Sequence, residues 1–181
     1  LNSDSLIFFT EQDSGVAIGQ VKLVQNSQTI TAERIEYVKH PGQDGVSYTA
    51  IGQVRIEDST RVASCGKAIY NHTKEMTILQ IQPEIHDENR IISGEKIVLA
   101  YKDNELKNIQ IPKQARASTI SLGYANVDTD SAEHRSILQF NDIMTSSNLK
   151  GFFLNGKLDS MRLEGMATTL YHIFEDSLYQ G

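Results

Sequence analysis

Ala17-Ile18-Gly19-Gln20-Val21 returns, letter for letter, as Ala50-Ile51-Gly52-Gln53-Val54, 33 residues further along the chain. Lys22-Leu23 returns in kind as Arg55-Ile56, and Tyr37 as Tyr70, at the same offset. A fixed internal period of this size marks one supersecondary unit stacked on copies of itself, each covering an apolar face its neighbour leaves bare. Around both copies the residues alternate. Val21-Lys22-Leu23 and Val54-Arg55-Ile56-Glu57 put apolar side chains on one face and charged ones on the other, as in a half-buried strand. The copies are expected to begin equivalent, neighbouring strands, with Val54 and Ile56 inward and Arg55 and Glu57 in solvent.

Working outward, Asn26-Ser27-Gln28 and Glu57-Asp58-Ser59 supply polar turns. The strand after the first turn runs Thr29-Ile30-Thr31-Ala32 and on to Ile35-Glu36-Tyr37. Its counterparts are Val62–Cys65 continuing to Ala68-Ile69-Tyr70, and Ile91–Gly94 continuing to Ile97-Val98-Leu99. In each, a small residue (Ala32, Cys65, Gly94) precedes an apolar one by three positions, which predicts a bulge or bend there. A third strand type, Glu75–Ile81, returns as Glu105–Ile111 and as Lys157–Leu163. Turns precede these strands, Asn155-Gly156 being the strongest hairpin signal among them.

Residues 39–45 lengthen one hairpin. Residues 118–136 are polar, fit no repeat, and read as an irregular insertion in a single domain spanning 1–181. Ser131–Met144 reads either as a short helix capped by Ser131 or as two short strands, and the surrounding pattern favours strands. The fold class is all-β, built of repetitive antiparallel strands, with under about a tenth of the chain in helix against a globular average near a third.

Composition removes several functions. Net charge is −6, and the 17 basic residues are scattered singly, so no nucleic-acid groove is expected. Cys65 is the one cysteine, which excludes an internal disulfide and a cysteine-rich metal site. His40, His72, His86, His134 and His172 lack ligand spacing, so neither metal nor cofactor is expected. No nucleophile elbow or phosphate loop is present, and an enzyme is not expected. Tyr37, Tyr70, Tyr101 and Tyr171 close comparable strands and read as rim residues, ring buried and hydroxyl wet.

These residues together resemble the OstA-like family, the LptA-like periplasmic β-jellyroll domains of lipopolysaccharide transport. The likeness rests on Gly19–Leu23 followed by Ile30–Tyr37, and on its partial return at 52–70 and 83–99. It rests also on Asn148–Leu158 followed by Gly165–Tyr171, a segment similar to the Bacteroidetes-type members. It spans roughly residues 5–175, with two departures: Pro83 stands where a Val is expected, and 118–136 aligns with nothing. Ser5–Phe9 and Phe174–Leu178 look like parts of further repeats, so a fragment of a longer protein is expected.

The resemblance implies an open, twisted, V-shaped jellyroll that holds lipid A acyl chains between its sheets and passes them toward the outer membrane. It implies a periplasmic site, outer-membrane association being possible, and a lipopolysaccharide or related amphiphile as partner. Other jellyrolls would join by edge-strand pairing near 5–9 and 166–174. Such a role needs an apolar lining, since each methylene removed from water contributes roughly 0.8 kcal/mol. The inward repeat positions supply the candidates: Val21, Leu23, Ile30, Ile35, Val54, Ile56, Ile85, Ile92, Ile97, Ile109, Ile111, Phe152, Met161 and Leu163. Each of them equally suits plain core packing. A structural or interaction module with a filled core, and a carrier of another amphiphile, are the alternatives.

Overall fold

The structure, a computed structural model, describes residues 1–25, 27–39, 42, 45–127, 134–175 and 178–179. Short alternating segments between polar turns give seventeen strands among those residues. They are β1 (Ser5–Phe9), β2 (Ser14–Gln25), β3 (Gln28–Lys39), β4 (Val46–Glu57), β5 (Arg61–Asn71), β6 (Met76–Gln80), β7 (Glu84–Asp87), β8 (Arg90–Ser93) and β9 (Lys96–Lys102). Then follow β10 (Glu105–Ile111), β11 (Ala115–Val127), β12 (His134–Ser146), β13 (Asn148–Leu154), β14 (Lys157–Glu164), β15 (Thr168–Leu170), β16 (Phe174–Glu175) and β17 (Leu178–Tyr179). The helical content of the described residues is one 3-10 turn, Thr10–Gln12.

Backbone pairing makes a sheet that forks. Strands β2 to β5 lie side by side and each runs through both arms. After β5 the ladder divides: residues 67–71 pair with β6, and residues 61–64 pair with β7. Arm one continues β6–β9–β10–β13–β14. Arm two continues β7–β8–β11–β12–β15. At the near end β1 pairs with residues 14–18 of β2 in arm one, and Asn2 bridges Lys22 in arm two. All of these pairings are antiparallel; one parallel bridge joins Tyr124 to Leu178.

The arms meet along a spine, and the repeated pentapeptide builds it. Ile18 faces Arg34 and Val21 faces Ala32, so β2 carries one residue more than β3 across that gap. The extra length is taken up at Gly19 (φ 80°) and Gln20 (φ 41°), and again at Gly52 (φ 80°) and Gln53 (φ 42°). The copies thus sit at the midpoints of β2 and β4, where the strands bend from arm to arm, and not at strand starts. The bulge predicted at Ala32 and Cys65 lies on the strands opposite, since Val21 faces Ala32 and Val54 faces Cys65. A left-handed backbone is cheap only for glycine, and the small partner leaves room for the bend. Later arm changes fall on the same line, at 81–83, 94–95, 112–114, 147 and 165–167. Backbone bonds tie the line together: Gly66 N–H to Ile81 O at 2.8 Å, and Ser147 N–H to Gly165 O at 2.7 Å. Pro83, the departure noted in the sequence, is fully buried at one of these corners.

Residues 118–136 are not an irregular insertion where they are described. β11 and β12 pair without interruption from Ala115–Ser146 to Val127–His134, the longest hairpin of the described chain. Residues 134–144 form one strand rather than a helix or two strands; Ser131, the supposed cap, lies outside the described residues. Polar side chains hid this hairpin, because backbone pairing supplies it without apolar alternation.

Candidate functional site

Register sets the interior. In arm one, Leu6, Ala17, Ile35, Ala50, Ala68, Leu79 and Ile97 face one another in successive strands. One rung further from the spine run Phe8, Gly15, Tyr37, Tyr48, Tyr70, Thr77, Leu99, Ile109, Gly151 and Met161. In arm two, Leu23, Ile30, Ile56, Ala63, Ile85, Ile92, Ala117, Met144 and Thr169 make a third row. Ile30, Ile35, Ile92, Ile97, Ile109 and Ile111 are at most 1% exposed.

Most of the expected lining residues come together here. Val21, Ile30, Ile35, Val54, Ile56, Ile85, Ile92, Ile97, Ile109 and Ile111 are buried in one cluster, and Leu23, Met161 and Leu163 pack partly buried against it. Arg55 and Glu57 point out and pair at 3.2 Å, as alternation requires. Phe152 is the exception. It is 46% exposed and belongs to the outer face, while its neighbour Phe153 is buried. Three apolar residues in a row, Phe152-Phe153-Leu154, leave parity unreadable, and the buried Gly151 fixes it.

Midway along the interior the two arms pack closely, while at the β1 end of arm one a cavity of about 370 Å³ is lined in part by Gly15, Tyr37, Tyr48 and Tyr70 of the inward row. A cavity of about 30 Å³ between Ile56, Ala63 and Ile85 of arm two and Leu99, Tyr101 and Leu106 of arm one has room for about one water. Opposite the spine the arms touch at their lips. Gln28, at the lip of arm two, and Thr77 are polar partners of the Tyr101 hydroxyl, and burial pushes that phenol upward. Arg61, whose Nη2 meets Asp58 Oδ2 at 3.2 Å, also lies with Cζ 5.2 Å from the centre of the Phe153 ring across the gap. Buried Arg61 Nε and Nη1 make no hydrogen bond. Along the same lip Arg61 faces Asp87, Asp87 faces Arg90, Arg90 faces Thr119, and Thr119 faces Asp142. Burial pushes Asp87 upward, while Arg61 and Arg90 draw it back down.

The tyrosines are less uniform than the sequence suggests. Tyr37 and Tyr70 are half-buried, Tyr48, which the repeat does not flag, is buried and stacks on Tyr70 at 5.0 Å, and Tyr171 is exposed. Spacing alone could not bring Ser121, Asp142 and His172 together. Ser121 Oγ–H donates to Asp142 Oδ2 at 2.9 Å; His172 N–H donates to Oδ1 at 2.8 Å, and His172 Nδ1 lies 3.0 Å from Oδ1. The hydroxyl gives its proton to the carboxylate, whereas a nucleophile would need it on the imidazole. The cluster is a clip holding residue 172 to β12.

His172 first, and Ser121 with it, hold the Asp142 carboxyl below the usual carboxylate range. A group depressed on folding stabilises above its unfolded pKa and loses that contribution as pH falls through the folded one. Asp142→Asn is therefore expected to lower stability at neutral pH and to flatten the decline below about pH 4. Urea midpoints from pH 7 to pH 2.5 check this; parallel profiles for the two proteins would contradict it.

Among the described residues no group of His, Cys, Asp or Glu could hold a metal ion, and no helix is long and apolar enough to cross a membrane. Residues 1–105 match the family model described as LptA/(LptD N-terminal domain) LPS transport protein. Among solved structures, the fold resembles LptH, the LptA-homologous periplasmic component of the lipopolysaccharide transport device of Pseudomonas aeruginosa. That likeness has a TM-score of 0.53 and 18% identity, covering 77% of this chain and 91% of that one. At such identity it bears on the fold alone. No curated protein matches the sequence.

Proposed function

Because the chain belongs to the LptA/LptD N-terminal-domain family of lipopolysaccharide transport proteins, we propose that it is a periplasmic, non-catalytic lipid carrier that receives acyl chains between its two arms. The observation that carries this reading is the continuity of the inward rows. They run strand to strand from β1 to β14 in arm one and from β2 to β15 in arm two, with little but apolar or small side chains. A closed core would serve as well in pieces; a path must be continuous. Head groups would stay at the charged lip and in solvent, which is compatible with the chain's acidic balance. Photo-cross-linking to lipopolysaccharide from position 56 and from position 55 tests the reading. Labelling from 56 alone is expected, and no labelling from either would overturn it. The close packing midway between the arms favours one second reading, an interaction module without a lipid site.

The finer statement about partners concerns edges. Among the described residues β1 in arm one and β14 at its far end each pair on one side only, which leaves a ready template for strand addition. Stacking a second copy head to tail pairs them antiparallel, and the rows specify the register. Leu6 meets Leu163 of the next copy and Phe8 meets its Met161, because each pair lies on one inward row. Such a contact is heterologous and propagates. Among the described residues the free edge of arm two is β15, so the C-terminal edge near 166–174 is one of two, with 157–164 the other.

Disulfide trapping tests this. Phe8→Cys with Met161→Cys is expected to give a ladder of cross-linked chains, and Ile7→Cys with Met161→Cys is expected to give little. A sedimenting monomer at every concentration, with no ladder, would end the proposal.

A further inference from the structure

We infer that the seam opposite the spine is a gate, hinged at the two Gly-Gln bends and latched by Arg61 against Phe153 and by Tyr101 against Gln28; the inference rests on the acyl-chain reading above. Three observations carry it. Between Ile56, Ala63 and Ile85 of arm two and Leu99, Tyr101 and Leu106 of arm one the cavity is about 30 Å³, smaller than any acyl chain, so a lipid can lie at that point of the path only after the arms separate. At the spine the arms cannot separate, since β2 to β5 run through it as unbroken chain. Across the seam, by contrast, the contacts are side chain to side chain. Arg61 belongs to β5 in arm two and Phe153 to β13 in arm one; Gln28 belongs to arm two and Tyr101 to β9 in arm one.

The latch chemistry suits a reversible closure. Arg61 is anchored on its own arm by Asp58 and meets the Phe153 ring across the gap, while two of its nitrogens make no hydrogen bond. A cation–π contact of this kind is weak enough to break and strong enough to bias a population. Further along the seam, Thr60, Asp87 and Arg90 of arm two face Gly156, Lys157 and Leu158 of arm one around a cavity of about 160 Å³, so that stretch is already parted. The hinge is equally local. Each bend places two successive residues in left-handed backbone, and no rung of either ladder crosses it.

The chain contains its own reporter. Cys65 faces inward on arm two beside the spine, is 8% exposed, and its thiol donates to Lys67 O at 3.3 Å. Its alkylation by iodoacetamide in the full chain reads how often the seam parts. Arg61→Met and Phe153→Leu are each expected to speed alkylation about three- to tenfold, the range a single cation–π latch allows. The double variant should be no faster than either single one, because one broken latch is already open. Amide exchange of Ile30 and Ile35 in β3 should stay unchanged. If exchange rises in step with alkylation in both variants, the chain is loosening as a whole and the gate is wrong. Lysophosphatidylcholine below its micelle concentration is expected to protect Cys65. Protection with unaltered variant rates would overturn the gate and leave the acyl-chain reading standing. Faster alkylation without protection by this probe or by lipopolysaccharide would do the reverse.

Discussion

Ile97→Ala is expected to lower the free energy of unfolding by about 3 kcal/mol, within the range of roughly 2–5 kcal/mol for truncating a buried Ile. Ile97 is fully buried in β9, faces Leu79 across the ladder, and sits on the innermost row of arm one. Its neighbours on that row are carried by strands that pair on both sides, so they cannot slump into the space left behind. The lost transfer energy and the residual cavity then add. Val24→Ala is the matched control. Val24 is 62% exposed on β2, and its truncation should cost under about 0.5 kcal/mol. Denaturant midpoints at constant slope measure both. Equal shifts for the two variants would remove the inward rows on which the lipid path depends.

Gly52→Val is expected to cost about 3 kcal/mol, and for a different reason. At φ +80° the backbone is left-handed, a region that a β-branched residue enters only under strain. The new Cβ would also run into the Glu33 carboxylate, which accepts a hydrogen bond from Gln53 Nε2 at 3.0 Å. Gly42 separates the two costs. Its φ is +74°, yet among the described residues nothing lies within 4 Å of an added Cβ, so Gly42→Val should cost about 1 kcal/mol from conformation alone. If both substitutions cost the same, Glu33 moves aside freely and the bend is looser than its geometry implies.

The exact repeat is the loudest signal in the sequence, and it marks bends within strands rather than strand starts. Repetition marked Ala17–Val21 and Ala50–Val54 as structurally equivalent, but alternation on either side of a glycine looks the same whether a strand starts or bends there. The inward positions were legible because a period of two leaves no choice once Val54 and Ile56 are placed. Phe152 failed where the alternation stopped. Arg61 was within reach: it keeps the parity of Ala63 and Cys65, and extending that alternation by one step would have put a cation inside. Asp142 and His172 were not within reach, because 30 residues and three strands separate them and nothing local ties them. The 115–127 and 134–146 hairpin was hidden by serine and threonine, whose side chains say little about a backbone that pairs regardless.

The fork at β5 gives the molecule two kinds of cooperativity. Where β2 to β5 run through both arms, a rung cannot open in one arm without disturbing the other. Beyond β5 each strand serves one arm and answers only to its nearest neighbours, as in a linear array. Amide protection should therefore form a gradient, deepest around Ile30 to Cys65 and falling toward β14 and β15. Nothing in such a ladder fixes how many rungs it must have. A barrel closes at a set strand number, whereas this fold can gain or lose a pair of strands at its far end and keep its cross-section. Length is then a free parameter of the architecture, to be matched to whatever distance must be spanned.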